Sequence, residues 1–462
     1  MRTESALEPG IQNRDPSMIH LQVYPVFAVF EYNEMLDRSL GLIIKRLILA
    51  ACLWTAAPGA AFGQTLEVVP NRVMVDESAV IRARGFTPGE SFTIQSELVD
   101  GADERWSAQA EFTADSEGAL DTSRQAPVKG SYEGVSAMGL VWSMRPAKKH
   151  VPSYQPPRDL GSQTITFRVI RDGQQSASAQ LEQLGVADGV RRVNVDGQLH
   201  GVLLLPNTSE RRPGALVLGG SEGGLPLRKA AWLASRGYAA FAVAYFRYDD
   251  LPPRLEGIPL EYFQSALAWM MQRPEISPDR IGVVGTSRGG ELALQLGSMF
   301  PQIKAVVAYV PANVRYPACC GNTRVPYAWT WQGHPLAFVL PRVLRDPETA
   351  IPASIAVEHI DGPILLVSGS DDGVWDSTGM ADAIVSRLKQ TRFRYSYESL
   401  KYPHAGHRAG RPEIVPTWHG SVRNPTSGRE QNLGGSPQGD AQSSLDAIPK
   451  VLEFLRQSLA GP

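Results

Sequence analysis

Cysteine is scarce in this chain, which has only three among 462 residues. Cys52 falls in an N-terminal apolar segment, and Cys319 and Cys320 are adjacent. Cysteines placed in this way cannot form a disulfide framework, and their spacing is not that of a zinc site. The adjacent pair could close a vicinal disulfide in an oxidising compartment, or it could remain two loop thiols. The sequence therefore predicts neither a disulfide-stabilised fold nor a metal centre.

Strong net charge and long apolar runs are also lacking. The chain has 45 Lys and Arg residues against 47 Asp and Glu residues, which gives a formal net charge of −2. A chain without a basic field is not expected to bind nucleic acid. Beyond the N-terminus no apolar run reaches the length that crosses a bilayer, so we expect no stable membrane span in the mature form.

The N-terminus has the pattern of a signal peptide. Two basic residues at 45–46 precede the apolar run 47–57, and the small residues Ala61 and Gly63 suit cleavage after Gly63. This pattern predicts export to the periplasm or the medium. A short core helix is the structural alternative. Lipidation at Cys52 ranks second among the processing routes, because the basic pair interrupts the apolar stretch that precedes it.

The chain divides into three segments that differ in their pattern of apolar and polar residues. Residues 1–63 form the leader. Residues 64–186 contain short runs in which apolar and polar side chains largely alternate, separated by turn signals, and this favours an all-β, Ig-like sandwich. Residues 187–462 alternate buried strand-like runs with helical patterns. That alternation predicts a doubly wound, mostly parallel sheet with helices on both faces.

A strand, a tight turn and a helix meet in the second half of the chain. The β-branched run 281–284 leads directly into Gly285-Thr286-Ser287-Arg288-Gly289, and an apolar helical pattern starts at Glu291. This is the arrangement of the nucleophile elbow in α/β-hydrolases, where flanking glycines let strand and helix pass close to an exposed serine. The five-residue pattern is common by chance, so only the surrounding strand and helix can show whether it marks a nucleophile.

A second match to the same pattern, Gly219–Gly223, contains Ser221. Pro226 delays the next helix, so Ser221 is expected in a loop after the first inner strand, where α/β-hydrolases place their oxyanion loop. We therefore predict Ser287 as the nucleophile. The backbone N–H groups of Ser221 and Arg288 are the predicted oxyanion donors. A plain glycine turn is the alternative for the first loop.

A serine nucleophile needs a base, and the base needs a carboxylate that orients it. In α/β-hydrolases these follow the serine along the chain in the order acid, then histidine. Asp372 comes just after a buried strand-like run and is the preferred acid. Asp371 and Asp376 are the second choices. His407 lies in a loop beside glycine and is the preferred base, with His404 second.

Further expectations concern the surroundings of these residues. Arg288 is expected to be an exposed helix arginine, and Glu291 a carboxylate favoured by the helix dipole. The Pro-, Trp- and Tyr-rich segment 310–358 stands where a lid or pocket wall would fit. The polar, Gly- and Pro-rich segment 408–439 is expected to be a surface excursion.

Longer motifs accompany these residues in a fixed order along the chain. They are Val75-Asp76-Glu77, Gly85–Gly89, Met138–Met144, Ala244–Pro252, Glu261-Tyr262-Phe263, Gly285–Leu292, Asp371-Asp372 with Trp375, and Tyr402-Pro403 with Gly406-His407. Through this combination, residues 66–459 resemble the acyl-CoA thioester hydrolase / bile acid-CoA:amino acid N-acyltransferase family. The resemblance implies a β-sandwich followed by an α/β-hydrolase domain, and it places the family's triad on Ser287, Asp372 and His407.

Three features of this chain, compared with the family, bear on the chemistry. The amino-acid transferase branch has a cysteine nucleophile, whereas this chain has serine, as in the thioesterase branch; hydrolysis is therefore expected rather than amide formation. The family is largely intracellular, so export would make another thioester or a carboxylic ester the substrate. Glu222 also stands where the family's loop is glycine-rich.

The expected function is that of a serine hydrolase which cleaves a small-molecule acyl thioester or ester through an acyl-enzyme. This chemistry needs no metal and no cofactor. Transfer of the acyl group to an amino acid, an exported carboxylesterase with a substrate other than acyl-CoA, and a non-catalytic binding protein on the same fold are the alternatives.

Overall fold

The computed structural model describes residues 63–340 and 351–461. The described residues belong to one compact unit. The predicted signal peptide and the lipidation alternative at Cys52 lie outside the described residues and stay predictions. Within the described part, no helix is both long and apolar enough to cross a bilayer.

Ten strands, one short α-helix and the 3₁₀ turn Arg158–Leu160 make up the N-terminal region. They are β1 (Thr65–Val69), β2 (Arg72–Met74), β3 (Val80–Arg84), β4 (Ser91–Val99), β5 (Arg105–Thr113), β6 (Ala119–Asp121), β7 (Lys129–Gly130), α1 (Gly139–Trp142), β8 (Arg145–Pro146), β9 (Gln163–Arg171) and β10 (Gln174–Leu184). One sheet has the order β1-β3-β6, and the larger has the order β2-β10-β9-β4-β5-β7, with β8 also paired to β5.

The two N-terminal sheets share one core. Along β4 and β5 every second residue is buried, as the alternating sequence predicts for half-buried strands. Ile94 and Phe112 point inward from the larger sheet and belong to the same apolar cluster as Ile81 of the smaller one. Trp142 and Met144 are also buried in this region, so both pack rather than bind. The Ig-like character and the boundary at residue 186 stay predictions.

The second region is built on a single eight-stranded sheet. Its strands are β11 (Arg191–Val195), β12 (His200–Leu205), β13 (Arg212–Leu218), β14 (Ala239–Ala244), β16 (Ile276–Thr286), β17 (Ile303–Tyr309), β20 (Ile364–Gly369) and β21 (Tyr397–Tyr402). The spatial order is β11-β12-β14-β13-β16-β17-β20-β21. Only β12 runs antiparallel to its neighbours, so the predicted mostly parallel sheet is confirmed.

Helices connect these strands, and five further strands of two or three residues lie in the loops. The helices are α2 (Leu227–Ser235), α3 (Glu261–Met271), α4 (Arg288–Met299), α5 (Ser377–Gln390) and α6 (Pro437–Ser458). The short strands are β15 (Ile258–Pro259), β18 (Trp329–Trp331), β19 (His334–Pro335), β22 (Val422–Arg423) and β23 (Glu430–Gln431).

Both faces of the large sheet are covered, which explains why inner strands such as β12, β14, β17 and β20 are largely apolar and buried rather than alternating. Val217 of β13 packs in the same cluster as the buried faces of α2 and α6, together with the N-terminal core. Its neighbour Leu216 packs on the opposite face with α3, α4 and α5. The fold is therefore an α/β-hydrolase sheet whose one face also contacts the N-terminal sheets.

Two element boundaries differ from the sequence-based prediction. The sequence pattern of Arg392–Glu398 predicts a strand, but Arg392 has a φ of 53° in the connection after α5, and β21 begins at Tyr397, where it pairs in register with Ile364. The amphipathic pattern of Ala447–Leu459 predicts the last helix, but that helix begins at Pro437, where the Ser436 side chain caps it by accepting a hydrogen bond from the Gly439 N–H.

A buried carboxylate joins the N-terminal sheets to the α/β region. Asp76 accepts hydrogen bonds from Trp232 Nε1 at 2.8 Å and from the Arg236 guanidinium at 2.6 and 2.9 Å. Its side chain is 1% exposed, against 23% for Arg236. Burial raises the pKa of Asp76, and the charge of Arg236 opposes that shift. Without these partners the ionised carboxylate would be desolvated and uncompensated.

We predict that Asp76→Asn lowers the free energy of unfolding by about 2 kcal/mol, because it removes the charge opposite a partly buried guanidinium. Urea unfolding measures the change. The neighbouring Glu77 binds the same arginine, but its side chain is 43% exposed. Glu77→Gln is therefore the matched control, with an expected loss below about 1 kcal/mol. Equal losses for the two variants would contradict the anchoring role of Asp76.

Candidate functional site

Ser287 lies in a strained turn between β16 and α4. Its backbone has φ 58° and ψ −121°, a conformation that costs a non-glycine residue free energy. The Ser287 N–H donates to the Tyr309 carbonyl at 2.9 Å, which holds the turn against β17. A Cβ at Gly285 would overlap the Gly289 carbonyl, and one at Gly289 would overlap the Gly219 carbonyl. Both glycines are therefore required by close backbone approach.

Three side chains from separate loops meet at this turn. His407 Nε2 is 2.8 Å from Ser287 Oγ, and His407 Nδ1 is 2.8 Å from Asp372 Oδ2. Asp372 Oδ1 also accepts from the backbone N–H groups of Val374 and Trp375 at 2.9 and 3.2 Å. The Asp372 side chain is 1% exposed and that of His407 is 11% exposed. With Nδ1–H donated to the carboxylate, Nε2 is left to accept the serine proton.

The other acid and base candidates lie elsewhere. Asp376 caps the N-terminus of α5 by accepting from the Gly379 N–H. Asp371 faces His404 at 3.4 Å, and the His404 side chain is 78% exposed. The structure therefore brings together Ser287, Asp372 and His407, and keeps the second-ranked residues out of the cluster.

A cavity of about 600 Å³ opens over Ser287 and His407. Besides the residues around Ser287 and the side chains of Tyr309 and Val374, three parts of the chain form its walls. These are residues 153–156 of the N-terminal region, the loop and helix start at 218–229, and the stretch from His407 to Leu433. None of the described residues of segment 310–358 lines it. The described part of that segment therefore does not form the wall that the sequence suggests, and the prediction for residues 341–350 lies outside the described residues.

The Ser221 loop is placed beside the nucleophile by the C-terminal part of the chain. Asn424 Nδ2 donates to Ser221 Oγ at 3.1 Å, and Thr426 Oγ1 donates to the Ser221 carbonyl at 3.1 Å. Glu222 accepts from the Gly220 N–H at 3.1 Å, which fixes the turn from inside. Ser221 lies in a loop before α2, as expected, and Arg288 is the first residue of α4, whose N–H has no acceptor within the helix. Their roles as oxyanion donors stay predictions.

Arg288 is not the exposed helix residue that the sequence suggests. Its guanidinium is 5% exposed and pairs with Glu291, which is fully buried, at 3.0 Å. It also donates to the carbonyls of Tyr316 and Pro317 at 3.1 and 2.8 Å. Trp329 Nε1 donates to Glu291 at 2.7 Å. Burial raises the pKa of Glu291, and the charge of Arg288 opposes the shift. The expectation was wrong because the partner carbonyls come from a loop remote in sequence.

The same network reaches the histidine through two rings. Tyr316, whose carbonyl is bound by Arg288, stacks on Trp375 with ring centroids 5.1 Å apart and planes 6° apart. Trp375 in turn meets His407 edge to face at 5.3 Å. The described part of segment 310–358 therefore supports the site from behind, through ring packing and carbonyl acceptors.

Two cationic side chains stand at the cavity beside the nucleophile and the histidine. Lys229 donates to Thr286 Oγ1, one residue before Ser287, and its Nζ lies 3.9 Å from the centre of the Tyr309 ring. Burial lowers the pKa of Lys229 to about 7. Burial likewise lowers the pKa of Arg408 to about 10. Sequence reasoning did not single out either residue, and only their shared position at the cavity reveals them.

Segment 408–439, expected as a surface excursion, contributes much of the cavity wall. Glu413 and Asn424 are each 5% exposed. Glu413 pairs with Arg228 and with Arg411, each at 2.5 Å. The polar composition that suggested a solvent-exposed loop reflects instead a network of buried ion pairs and hydrogen bonds.

Other chemistry-bearing groups lie apart from this cavity. Cys319 and Cys320 form a vicinal disulfide. Asp196, His200 and Asp249 bring ligand atoms within 4.8 Å of one another, the one such cluster in the described part of the chain. The nearer interactions of His200 are with Asp250 at 3.0 Å and Asp249 at 3.6 Å. None of these residues lines the cavity over Ser287.

The sheet and the elbow define an α/β-hydrolase. The family description "Acyl-CoA thioester hydrolase/BAAT N-terminal region" matches residues 76–197, and "BAAT / Acyl-CoA thioester hydrolase C terminal" matches residues 258–461. The chain therefore belongs to the acyl-CoA thioester hydrolase/BAAT family and is an enzyme of this kind.

Curated relatives resemble the chain over most of its length. Mouse acyl-coenzyme A thioesterase 6 is 31% identical, covering 86% of this chain and 97% of its own. Mouse acyl-coenzyme A thioesterase 1 is 33% identical with the same coverage. Human mitochondrial acyl-coenzyme A thioesterase 2 is 30% identical over 87% of this chain and 86% of its own. Among solved structures, the α/β-hydrolase MGS-M1 from a Medee basin deep-sea metagenome library is 17% identical, covering 59% of this chain and 99% of its own, with a TM-score of 0.39.

The buried pair behind the nucleophile yields a double-mutant test. We predict that Glu291→Gln costs about 3 kcal/mol of unfolding free energy, because it leaves Arg288 buried without a counter-charge. Arg288→Met should cost a similar amount, and the double variant should cost less than the sum by about 1–3 kcal/mol. Urea unfolding of all four proteins measures the coupling.

The control for that cycle is an exposed pair. Glu453 and Arg456 are 48% and 69% exposed, so Glu453→Gln should lower the free energy of unfolding far less than Glu291→Gln does. Additive losses at residues 288 and 291 would show that the two side chains do not act as a pair.

Proposed function

We propose that this chain is a serine hydrolase that cleaves an acyl thioester or ester through a covalent acyl-enzyme on Ser287. The hydrogen-bonded series Ser287–His407–Asp372, opening into a cavity of about 600 Å³, carries the proposal. Membership of the acyl-CoA thioester hydrolase family supports a thioester as the scissile group.

In the proposed first half-reaction, His407 Nε2 removes the Ser287 proton as Oγ attacks the acyl carbon. Asp372 stays ionised, orients the ring and stabilises the imidazolium. The oxyanion of the tetrahedral intermediate is held by the backbone N–H groups of Ser221 and Arg288. The intermediate collapses with cleavage of the carbon–sulfur or carbon–oxygen bond, and His407 gives its proton to the leaving thiolate or alkoxide.

In the second half-reaction, a water molecule replaces the leaving group. His407 takes a proton from the water as its oxygen attacks the acyl carbon. The new tetrahedral intermediate then expels Ser287 Oγ, which recovers the proton from His407, and the free carboxylic acid departs. A serine ester is resolved readily by water, so the products are an acid and a thiol or alcohol.

We also propose that the mature protein is exported, on the basis of the N-terminal pattern of basic, apolar and small residues ending at Gly63. N-terminal sequencing of the protein recovered from the producing cells tests this. A mature N-terminus at or near Gln64 is the expected result, and an uncleaved leader would contradict it.

We predict that Ser287→Ala lowers kcat for acyl-CoA and p-nitrophenyl ester substrates by roughly 10⁴-fold or more, because no nucleophile remains. The wild-type protein should be labelled covalently by a fluorophosphonate probe, and the variant should not. Full turnover or labelling of the variant would overturn the assignment, whereas a folded protein that neither labels nor hydrolyses would favour a binding role.

The choice among the acidic residues is tested separately. Asp372→Asn should lower kcat by roughly 10³–10⁴-fold, because the amide favours the wrong tautomer of His407. Asp371→Asn alters the adjacent carboxylate, which faces the exposed His404, and should leave kcat within about twofold. A larger loss at Asp371 than at Asp372 would reverse the assignment.

A further inference from the structure

One histidine and two aspartates come together near the edge of the large sheet, away from the cavity over Ser287. Asp196 follows β11 and His200 begins β12, so the two stand at either end of the turn that joins these antiparallel strands. Asp249 lies in the connection after β14, whose last residue, Ala244, pairs with His200. Strand pairing therefore gathers three side chains of the metal-binding type, with one ligand atom from each within 4.8 Å of the others.

The position of His200 is fixed by its surroundings. The residue is 8% exposed. Its backbone N–H donates to Tyr262 Oη at 2.9 Å, and that hydroxyl donates to the Ala244 carbonyl at 2.7 Å. The imidazole ring meets the ring of Tyr248 edge to face, with centroids 6.3 Å apart. The fold therefore sets the direction in which both ring nitrogens point.

The Nδ1 atom of His200 is buried and has no hydrogen-bond partner among the described residues. Asp249 Oδ2 lies 3.6 Å from it, which is too long for a hydrogen bond. If Nδ1 carries a hydrogen, that donor is buried without an acceptor, and if it does not, a lone pair is buried without a donor. Either arrangement costs free energy. A cation between Nδ1 and the carboxylate removes this cost.

The separation of 3.6 Å between His200 Nδ1 and Asp249 Oδ2 suits two ligands of one ion. Zinc binds a histidine nitrogen at about 2.0–2.1 Å and a carboxylate oxygen at about 2.0–2.2 Å, so two of its tetrahedral ligands lie about 3.3 Å apart. The Asp249 side chain is 56% exposed, and Asp196 is also exposed. Both carboxylates are therefore free to rotate toward an ion that is held at the buried nitrogen.

Negative charge at this place is not balanced by basic side chains. Besides Asp196 and Asp249, Asp250 Oδ1 lies 3.0 Å from the second ring nitrogen of His200, Nε2. Within the described ranges, no lysine or arginine forms an ion pair with any of these three carboxylates. A divalent cation would offset most of their charge. A carboxylate at the second nitrogen is also the usual outer partner of a metal-bound histidine, because it orients the ring.

We propose that Asp196, His200 and Asp249 bind a divalent metal ion, for which Zn²⁺ is the probe. The protein ligands are His200 Nδ1 and one carboxylate oxygen from each aspartate, and water completes the coordination. Asp250 is the outer partner that orients the ring. The mixed nitrogen and oxygen donors favour Zn²⁺ over Mg²⁺ and Ca²⁺, which prefer oxygen ligands.

The place of this ion in the fold indicates a structural role. Its ligands do not line the cavity over Ser287, but the ion joins the turn between β11 and β12 to the connection after β14. In that connection Arg247 Nη1 donates to the Glu222 carbonyl at 2.9 Å, and the Phe246 carbonyl accepts from the Gly224 N–H at 3.0 Å. The ion therefore holds a connection that packs against the Ser221 loop.

The test measures Zn²⁺ binding to the full chain without a histidine tag, after metal has been removed by a chelator. Calorimetry should show a site that binds one Zn²⁺ per chain with a dissociation constant of about 1 μM or tighter. His200→Ala should weaken this site more than about 100-fold, because loss of an outer partner alone typically costs about 10–100-fold. Asp249→Asn changes an exposed side chain, so it should fold normally and weaken binding at least about tenfold.

Three further variants serve as references. Asp250→Asn removes the outer partner and should weaken binding about 10–100-fold. His404→Ala removes an exposed histidine that also faces a carboxylate, that of Asp371 at 3.4 Å, and should leave Zn²⁺ binding unchanged. His407→Ala removes the histidine beside the nucleophile and should likewise leave it unchanged.

Thermal unfolding gives a second measurement. A Zn²⁺ concentration about 100 times the dissociation constant should raise the midpoint of the wild-type protein by about 3 °C, because the ion binds only the folded chain. The midpoint of His200→Ala should rise by less than about 1 °C at the same concentration. Its midpoint without metal establishes that the variant is folded.

Loss of the site in His200→Ala, together with its weakening in Asp249→Asn, would support the proposal. Absence of Zn²⁺ binding to the wild-type protein would overturn it and leave a protonated His200 between Asp249 and Asp250. Binding that survives in His200→Ala but is lost in His404→Ala or His407→Ala would place the ion elsewhere and also overturn it.

Discussion

The backbone of Ser287 is the constraint on which the site depends. Its positive φ turns the chain sharply from β16 into α4 and projects the hydroxyl away from both elements. The turn persists because its surroundings fix it: the N–H is bonded to the Tyr309 carbonyl, and glycines on both sides admit backbone where no Cβ would fit. The hydroxyl therefore meets His407 Nε2 at hydrogen-bond distance without any movement of the sheet.

The support behind the turn is electrostatic as well as steric. Arg288 is next to the nucleophile, but its guanidinium does not face the cavity. It forms an ion pair with Glu291 and donates hydrogen bonds to two loop carbonyls. The loop that it holds carries Tyr316, which stacks on Trp375, and Trp375 packs against His407. One buried ion pair thus connects the backbone of the nucleophile to the ring of the base. Such a pair contributes positioning more than stability, since its own desolvation is costly.

Much of the fold could be read from sequence because its signals are local. The apolar periodicity of Leu227–Ser235 and of Glu261–Met271 predicts helices, and both form at those limits. The alternating pattern of residues 64–186 likewise predicts the short strands that the structure contains there. The clustering of Ser287, Asp372 and His407 followed from the rule that parallel strands present their carboxyl ends at one edge. The predictions of solvent exposure for Arg288 and for segment 408–439 were wrong, because side chains there bind partners that are remote in sequence.

The sequence by itself determined the order of strand, turn and helix around Ser287, the family, and the residues able to form a nucleophile, acid and base. These are consequences of period, glycine placement and chain order, which neighbouring residues encode. Only the tertiary structure decided which charges at the cavity are neutralised. Glu413 pairs with Arg228 from α2 and with Arg411 from its own segment, and leaves Arg408 and Lys229 without carboxylate partners among the described residues. The physical reason is that Coulomb interactions depend on distance in space, and the folded chain sets those distances between residues far apart in sequence.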